Sequence, residues 1–356
     1  MSYDIVIQNG WIVDGISNSA LNGTIAISGG KISCIGPRSP GLTAAKVIDA
    51  SHMIVAPGFI DVHAHSDQHL LRDPVMKNKL LQGVTTEIGG NCGSSAFPWT
   101  TSNSFYTHEE ESRLGWRSFD EFLNAVQTRG LALNYGSMMG HNSLHYSVGL
   151  TNCGAATREQ LDIMRKGVAR AMEEGAFGLS SGLNLLPASL DTTKELAELN
   201  KIVARKGGLF SVHLRSESDD ILNALSEVIM VGIQSKVPIE VAHFKVLDRM
   251  NWPKQEKAIS LMNKMRSAGV QIGSNFFPYN YVCAPLKVIL PQWTTARGSS
   301  HFARICSNTR LREQLVEHLS DIFPADSAYR AVMLPRTLGD ECRQWNGTNL
   351  YRLARA

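Results

Sequence analysis

The chain is predicted to fold as an α/β protein: a (β/α)8-type barrel preceded by a small N-terminal β unit. Three observations predict it. Apolar, β-prone runs alternate with capped amphipathic helices over most of the length. Histidines stand at the ends of several of those runs. The first fifty or so residues instead carry turn signals at hairpin spacing.

In chain order, Ile5-Val6-Ile7 and Trp11-Ile12-Val13 flank Asn9-Gly10, a hairpin signal. Thr24 to Ile27 and Lys31 to Ile35 flank Gly29-Gly30, a second one. Residues 1–54 therefore read as a small antiparallel, sandwich-like β unit. Met53-Ile54-Val55-Ala56, broken by Pro57-Gly58, reads as the first barrel strand, buried and leading to His63 and His65. Further strands are expected at 85–92, 133–140, 176–183, 209–214, 238–246 and 270–276. Ser118 with Glu121, Thr157 with Gln160 and Thr192 with Glu195 have capping-box spacing at helix starts. The helix after Thr157 should bury Leu161, Met164, Val168 and Met172, and the helix after Thr192 should bury Leu196, Leu199, Ile202 and Val203. Another helix runs through Ala258, Leu261, Met262 and Met265. Such alternation implies a parallel sheet with crossover helices. Seven strands are found where a closed barrel needs eight. The segment 285–356 holds helical and loop-like pieces and one apolar run, Ala331 to Leu334, without a convincing eighth strand. The expected divisions are 1–54, 55–284 for the barrel and 285–356 for an incomplete C-terminal part.

Bulk properties narrow the function classes. At 356 residues with 43% hydrophobic and 19% charged residues, the chain can bury a substantial core. A net charge of +3, without a Lys/Arg cluster, argues against a nucleic-acid partner. No signal peptide or transmembrane run is visible, so no membrane partner is expected. Cys34, Cys92, Cys153, Cys283, Cys306 and Cys342 are scattered without framework spacing. They read as free thiols in a reducing, cytoplasmic setting.

The candidate chemistry lies at strand ends. His63 and His65 are two apart, and side chains two apart on a strand share a face. His213 closes one apolar run and His243 another. Any one of them reads readily as a buried structural histidine. Four of them from three strand ends, all at the mouth of one barrel, point to a metal site. Cys92 ends the second strand in Gly90-Asn91-Cys92-Gly93. It reads either as a small buried hydrophobe or as a thiolate ligand, and the glycines beside it favour the ligand. Lys245 and Arg215 each follow a candidate ligand by two. Lys245 is either an anion-binding group or a snorkelling surface lysine. Arg215 is either a site cation or half of a structural ion pair. His69, His141 and His145 also lie near strand ends and rank below the others.

These residues resemble the metal-dependent amidohydrolase superfamily and, within it, the N-acyl-D-amino-acid deacylases (D-aminoacylases). The resemblance rests on the run Gly58 to Asp67, on Gly83-Val84-Thr85-Thr86 leading to Gly90-Asn91-Cys92-Gly93, and on Gly175 to Leu183. It continues in His213-Leu214-Arg215-Ser216-Glu217, His243-Phe244-Lys245-Val246 with Asn251-Trp252, and Phe277-Pro278-Tyr279. It spans residue 1 to about 320 and implies a TIM-like metallo-hydrolase barrel. It implies zinc, held tightly by Cys92, His213 and His243, with His63 and His65 forming a weaker second site. The fourth strand has no lysine to bridge two metals, and the cysteine stands in for it. The implied reaction is hydrolysis of an N-acyl-D-amino acid to a carboxylate and a free D-amino acid. The zinc would lower the pKa of the attacking water and polarise the amide carbonyl. Tyr279 would hold the substrate's α-carboxylate.

The chain also departs from the family pattern. The family's catalytic aspartate, in a Ser-Asp-Gly run on the eighth strand, has no counterpart here. Asn275 and Phe277 stand where the family tends to have Asp and Tyr, and Cys283 near a usual serine. Asp67 is the nearest carboxylate and reads as an orienting group. Three accounts remain open: a fragment of a deacylase, a short homologue that keeps metal without hydrolysis, or a complete enzyme with another base. An open barrel edge would expose apolar strands and invite self-association. Another amidohydrolase, such as a dihydroorotase-like cyclic amidase, and a non-catalytic metal-binding or assembly homologue are the alternative functions.

Overall fold

A computed structural model describes residues 2–37, 41–67, 69–98, 116–151, 155–185, 187–188, 192–247, 249–276, 279, 290–295, 299–322, 333–334 and 348–349. They form two compact units: 1–149 with 155–275, and 150–154 with 276–356.

The first unit opens with β1 (Tyr3–Ile12), β2 (Leu21–Ser28), β3 (Lys31–Pro37), β4 (Ala44–Asp49) and β5 (Ile54–Val55), joined in one five-stranded sheet. Gly29 and Gly30 make the expected hairpin, with φ 58° and 72°, between β2 and β3. Left-handed backbone at both turn positions is what glycine permits without strain. Asn9-Gly10 does not make one. β1 runs straight through it, with a register shift between Ile7 and Gly10 against β2. The reason is pairing on the other edge: β4 and β5 both run parallel to β1 and hold it extended. The Asn9 amide also donates to Asp49 at 2.8 Å. The described strands thus form a mixed sheet, not an antiparallel one.

A second correction concerns the start of the β/α array. Ile54-Val55 belongs to the N-terminal sheet, and β6 (Phe59–Asp61) is the first strand of the parallel array. β6 is not buried. It is the end strand of its sheet, and Phe59 and Ile60 are 65% and 61% exposed. The short helices α1 (His69–Arg72) and α2 (Lys77–Leu80) lead to β7 (Val84–Gly89), and α3 (Phe119–Arg129) precedes β8 (Asn134–Ser137) and β9 (Met139–Gly140). β6, β7 and β8 are parallel neighbours. Met138 separates β8 from β9, and β9 begins the next sheet, whose order is β9, β10 (Gly178–Gly182), β11 (Leu209–His213), β12 (Ile239–Val241) and β13 (Ile272–Ser274). All these pairs are parallel. The six runs expected from residue 85 onward all contain strands, shorter than anticipated and one of them divided into β8 and β9, while the first array strand lies at Phe59–Asp61 instead of Met53–Ala56.

Helices fill the crossovers: α4 (His141–Ser147), α5 (Arg158–Glu173), α6 (Thr193–Arg205), α7 (Ile221–Ser235) and α8 (Lys254–Ser267). Thr157 and Gln160 form a complete capping box at α5. Met164 and Val168 are fully buried beneath that helix, and Leu196, Leu199 and Val203 beneath α6. At α6, Thr192 caps the Glu195 amide, but the Glu195 carboxylate turns inward instead of returning to the cap.

In the second unit, α9 (Gln292–Thr295), α10 (Ser299–Ser307) and α11 (Thr309–Ile322) precede β14 (Met333–Leu334) and β15 (Thr348–Asn349), which pair antiparallel. Among the described residues, no further strand pairs with β13 or β6. No helix among them is long and apolar enough to cross a membrane.

Leu196→Ala should cost about 2–5 kcal/mol, because it opens a cavity under α6. Thr157→Ala should cost about 1 kcal/mol for one lost cap. Urea denaturation of the full chain should rank them in that order, and equal losses would refute this account of the core.

Candidate metal centre

The centre is built on the loop after β7. Gly90, Cys92 and Gly93 all have left-handed backbone, with φ 69°, 50° and 76°. A Cβ on Gly90 would strike the Met138 carbonyl, and one on Gly93 would strike the Asn142 side chain. The two glycines thus allow the loop to pack tightly while it turns. Buried polar groups fix it. Asp67, fully buried, accepts the Gly90 N–H at 2.8 Å and the Tyr135 hydroxyl at 2.9 Å. Ser180 accepts the Gly93 N–H at 3.0 Å and donates to the Gly90 carbonyl. Asn91 donates to the Ile88 carbonyl at 3.0 Å and accepts from Ser211 at 3.2 Å.

So held, Cys92 is buried and its Sγ lies 3.3 Å from His63 Nε2 and 3.4 Å from His243 Nε2. The His63 ring is 5.0 Å from that of His243 and 5.3 Å from that of His65. The His213 ring is 4.3 Å from that of His243. Four of the five candidate ligands thus share overlapping donor groups, with His65 beside them only through its ring contact with His63, and they meet by a different local route than strand alternation suggests. Only His213 ends a strand. His63 and His65 lie beyond β6, and His243 lies in the turn after β12 with φ 35°. Asn275 holds that turn by accepting the His243 N–H at 2.7 Å.

Glu217 is the residue that the sequence reading overlooked. It lies four residues past His213 in the same motif. Its carboxylate stands 2.9 Å from His243 Nδ1, 2.6 Å from Lys245 Nζ and 3.5 Å from His213 Nε2. Burial opposes its ionisation, but the His243 hydrogen bond and the neighbouring His213 and Lys245 outweigh burial and hold its carboxyl down to about 2. A carboxylate on Nδ1 turns Nε2 of His243 toward Cys92, the arrangement common behind metal-binding histidines. The donor atoms form two overlapping groups, His63–Cys92–His243 and His213–Glu217–His243.

Lys245 is neither a snorkelling surface lysine nor remote from the centre, because it pairs with Glu217. Arg215 makes a bidentate ion pair with Glu227 of α7, at 2.8 and 2.9 Å, which is the structural arm of its two readings. Tyr279 is exposed and belongs to the second unit. Phe277, Pro278, Cys153, Cys283 and Cys342 lie outside the described residues. His69 is exposed on α1, and His141 and His145 are buried in α4.

The donor set suits a metal ion. Imidazole, thiolate and carboxylate are all zinc ligands. Burial, and then the neighbouring imidazoles, pull His63 down to about 2, while burial, opposed by the nearby Glu217, pulls His213 to about 3. Both rings are therefore neutral, the form that binds metal. Burial, and then the Glu217 charge, push the Cys92 thiol up to about 12, so it must shed its proton to bind. His63 Nδ1 is buried without a hydrogen-bond partner. Glu217→Gln keeps the shape and removes the charge behind His243. It should weaken zinc binding about 10–100-fold, read by competition with a chromogenic chelator. Unchanged affinity would remove Glu217 from the centre's support.

Residues 46–276 match the family model described as "Amidohydrolase family". The chain is 32% identical over 280 residues to a D-aminoacylase of Alcaligenes xylosoxydans xylosoxydans, covering 78% of this chain and 57% of that protein. The crystal structure of an N-acyl-D-glutamate deacylase from Bordetella bronchiseptica, complexed with zinc and a phosphonate inhibitor, superposes with TM-score 0.73 at 28% identity. It covers 78% of this chain and 59% of that one. An L-hydantoinase from Arthrobacter aurescens, at 16% identity and TM-score 0.52 over 78% of this chain and 58% of that one, shares the fold alone. The chain spans somewhat more than half the length of the curated relatives it matches. With the family model covering most of the chain, the chain belongs to the amidohydrolase family.

Proposed function

We propose that this chain carries the metal-binding part of a zinc-dependent N-acyl-D-amino-acid deacylase, which releases a carboxylate and a free D-amino acid. The observation that carries this reading is the convergence of Cys92, His63 and His243 on one point, with His65, His213 and Glu217 around them. Zinc bound there supplies a Lewis acid for the amide carbonyl and lowers the pKa of the attacking water. The tight-site assignment to Cys92, His213 and His243, with His63 and His65 as a weaker site, belongs to the proposal. So does the cytoplasmic setting, which the scattered cysteines support.

The protein's own groups divide the remaining work. Glu217 orients His243 and balances the charge of Lys245. Asp67 and Ser180 keep the cysteine loop in place, and the closed environment raises the worth of each polar contact. In the first unit Lys245 is the candidate to meet a substrate carboxylate, and Arg215 a weaker one because Glu227 engages it; for Tyr279 that role rests on the family resemblance alone. The exposed apolar side chains of β6 offer a surface for self-association. A second reading is a metal-binding homologue without hydrolysis, favoured by the commitment of Glu217, the carboxylate at the centre, to His243 and Lys245, since hydrolysis needs a carboxylate to move the proton.

The full chain, loaded with zinc, should release D-amino acids from N-acyl-D-amino acids and leave the L-enantiomers and cyclic amides intact. Zinc uptake without turnover would favour the second reading. Intact mass of the natural protein distinguishes them further: a mass well above 39.0 kDa supports a longer deacylase. Cys92→Ala should leave zinc content well below that of the parent by elemental analysis, and unchanged zinc would sink the Cys92 assignment.

A further inference from the structure

A second group of donor atoms lies in the helical layer, outside the centre described above. α4 starts where β9 ends, and His141 and His145 stand four apart on it, on one helix face. Both are fully buried, with ring centroids 4.5 Å apart. Glu195, in the first turn of α6, meets them with one carboxylate oxygen. That Oε1 lies 2.7 Å from His145 Nε2 and 3.3 Å from His141 Nε2. The other oxygen accepts the Ala156 N–H at 3.3 Å. His141 Nδ1 is 3.0 Å from Ser181 Oγ, which turns its Nε2 toward the glutamate.

Glu195 has the spacing to complete a capping box with Thr192 and forgoes it. Its carboxylate is only 4% exposed. A carboxylate buried that deeply is costly unless its charge is balanced. Among the described residues its hydrogen-bond partners are the two imidazoles and the Ala156 amide, with no lysine or arginine. Two imidazole nitrogens and one carboxylate oxygen, each within 4.8 Å of the others, form a zinc-type donor set. Zinc bonds of about 2.0–2.1 Å at tetrahedral angles place donors roughly 3.3 Å apart. The His141–Glu195 separation already has that value, and the His145–Glu195 contact needs only a small opening. Ser181 supplies the outer hydrogen bond that metal-binding histidines usually have.

We propose that His141, His145 and Glu195 bind a divalent metal ion of their own, zinc fitting best, which clamps α4 to α6. The site is separate from the mouth. Ser180 faces the Cys92 loop, while Ser181, the next residue of β10, faces His141, so the two sites lie on opposite sides of one strand.

The test is anomalous diffraction at the zinc edge, on crystals of the full chain grown with zinc. A peak between the three donor atoms, retained after dialysis against EDTA because the site is sealed, is the expected result. Elemental analysis should find one zinc per chain fewer in Glu195→Gln, while Cys92→Ala keeps the α4 peak. A map without a peak at the triad overturns the proposal, and the cluster is then an imidazole–carboxylate hydrogen-bond network. If Glu195→Gln fails to fold, the maps of the parent and of Cys92→Ala decide alone.

Discussion

Everything at the candidate metal centre depends on the turn that the chain makes after β7. Cys92 can reach the histidines only because three of four successive residues, Gly90, Cys92 and Gly93, take left-handed backbone. Two are glycines, for which this costs little, and the third is the cysteine itself, for which it costs about 1 kcal/mol or more. The surroundings must over-determine such a conformation. They do so with the Asp67 carboxylate, the Ser180 hydroxyl and the Asn91 amide, each buried and each bonded to this loop or its neighbours. The fold's parallel strands serve mainly to bring those three anchors from β6, β10 and β7 to one loop.

The same economy governs charge. Buried carboxylates are tolerable when each is placed among cations or N–H donors. Glu217 lies among two imidazoles and Lys245. Asp67 takes an amide and a phenol, and burial raises its carboxyl to about 6 against those hydrogen bonds. Glu87 and Asp61 share Lys79, at 3.2 and 2.5 Å. Among the described residues, these carboxylates are therefore each already committed to a partner. Glu217 bonds Lys245 and His243 at once, so any anion that drew Lys245 away would also act on the orientation of His243.

Much of this was legible in the sequence, for identifiable reasons. Parallel strands covered by helices read as apolar runs, so their number and order could be found. Thr157 and Gln160 announced α5 because a capping box is local. Cys92 was conspicuous as a thiol between glycines. What escaped depends on distant partners. Asn9-Gly10 looks like a hairpin until β4 and β5 hold β1 extended. Met53 to Ala56 has the composition of a barrel strand, yet part of it pairs with β1 instead. Glu217 lies in a loop, where strand periodicity says nothing about direction, and only the His243 turn reveals its role. Glu195 was hidden by a spacing that fits a cap.

β10 shows how one short strand can serve two environments. Its residues Ser180 and Ser181 are both fully buried, yet they point to opposite faces. One secures the loop of the candidate metal centre and the other orients an imidazole in the helical layer. Small side chains are required on both sides. A Cβ on Gly178 would strike the Leu209 backbone, and one on Gly182 would approach the Cys92 carbonyl at 2.5 Å. The run Gly178-Leu179-Ser180-Ser181-Gly182 is therefore constrained by contacts at both ends and on both faces. A substitution there should disturb the cysteine loop and the α4–α6 contact together, because neither can shift without moving the strand they share.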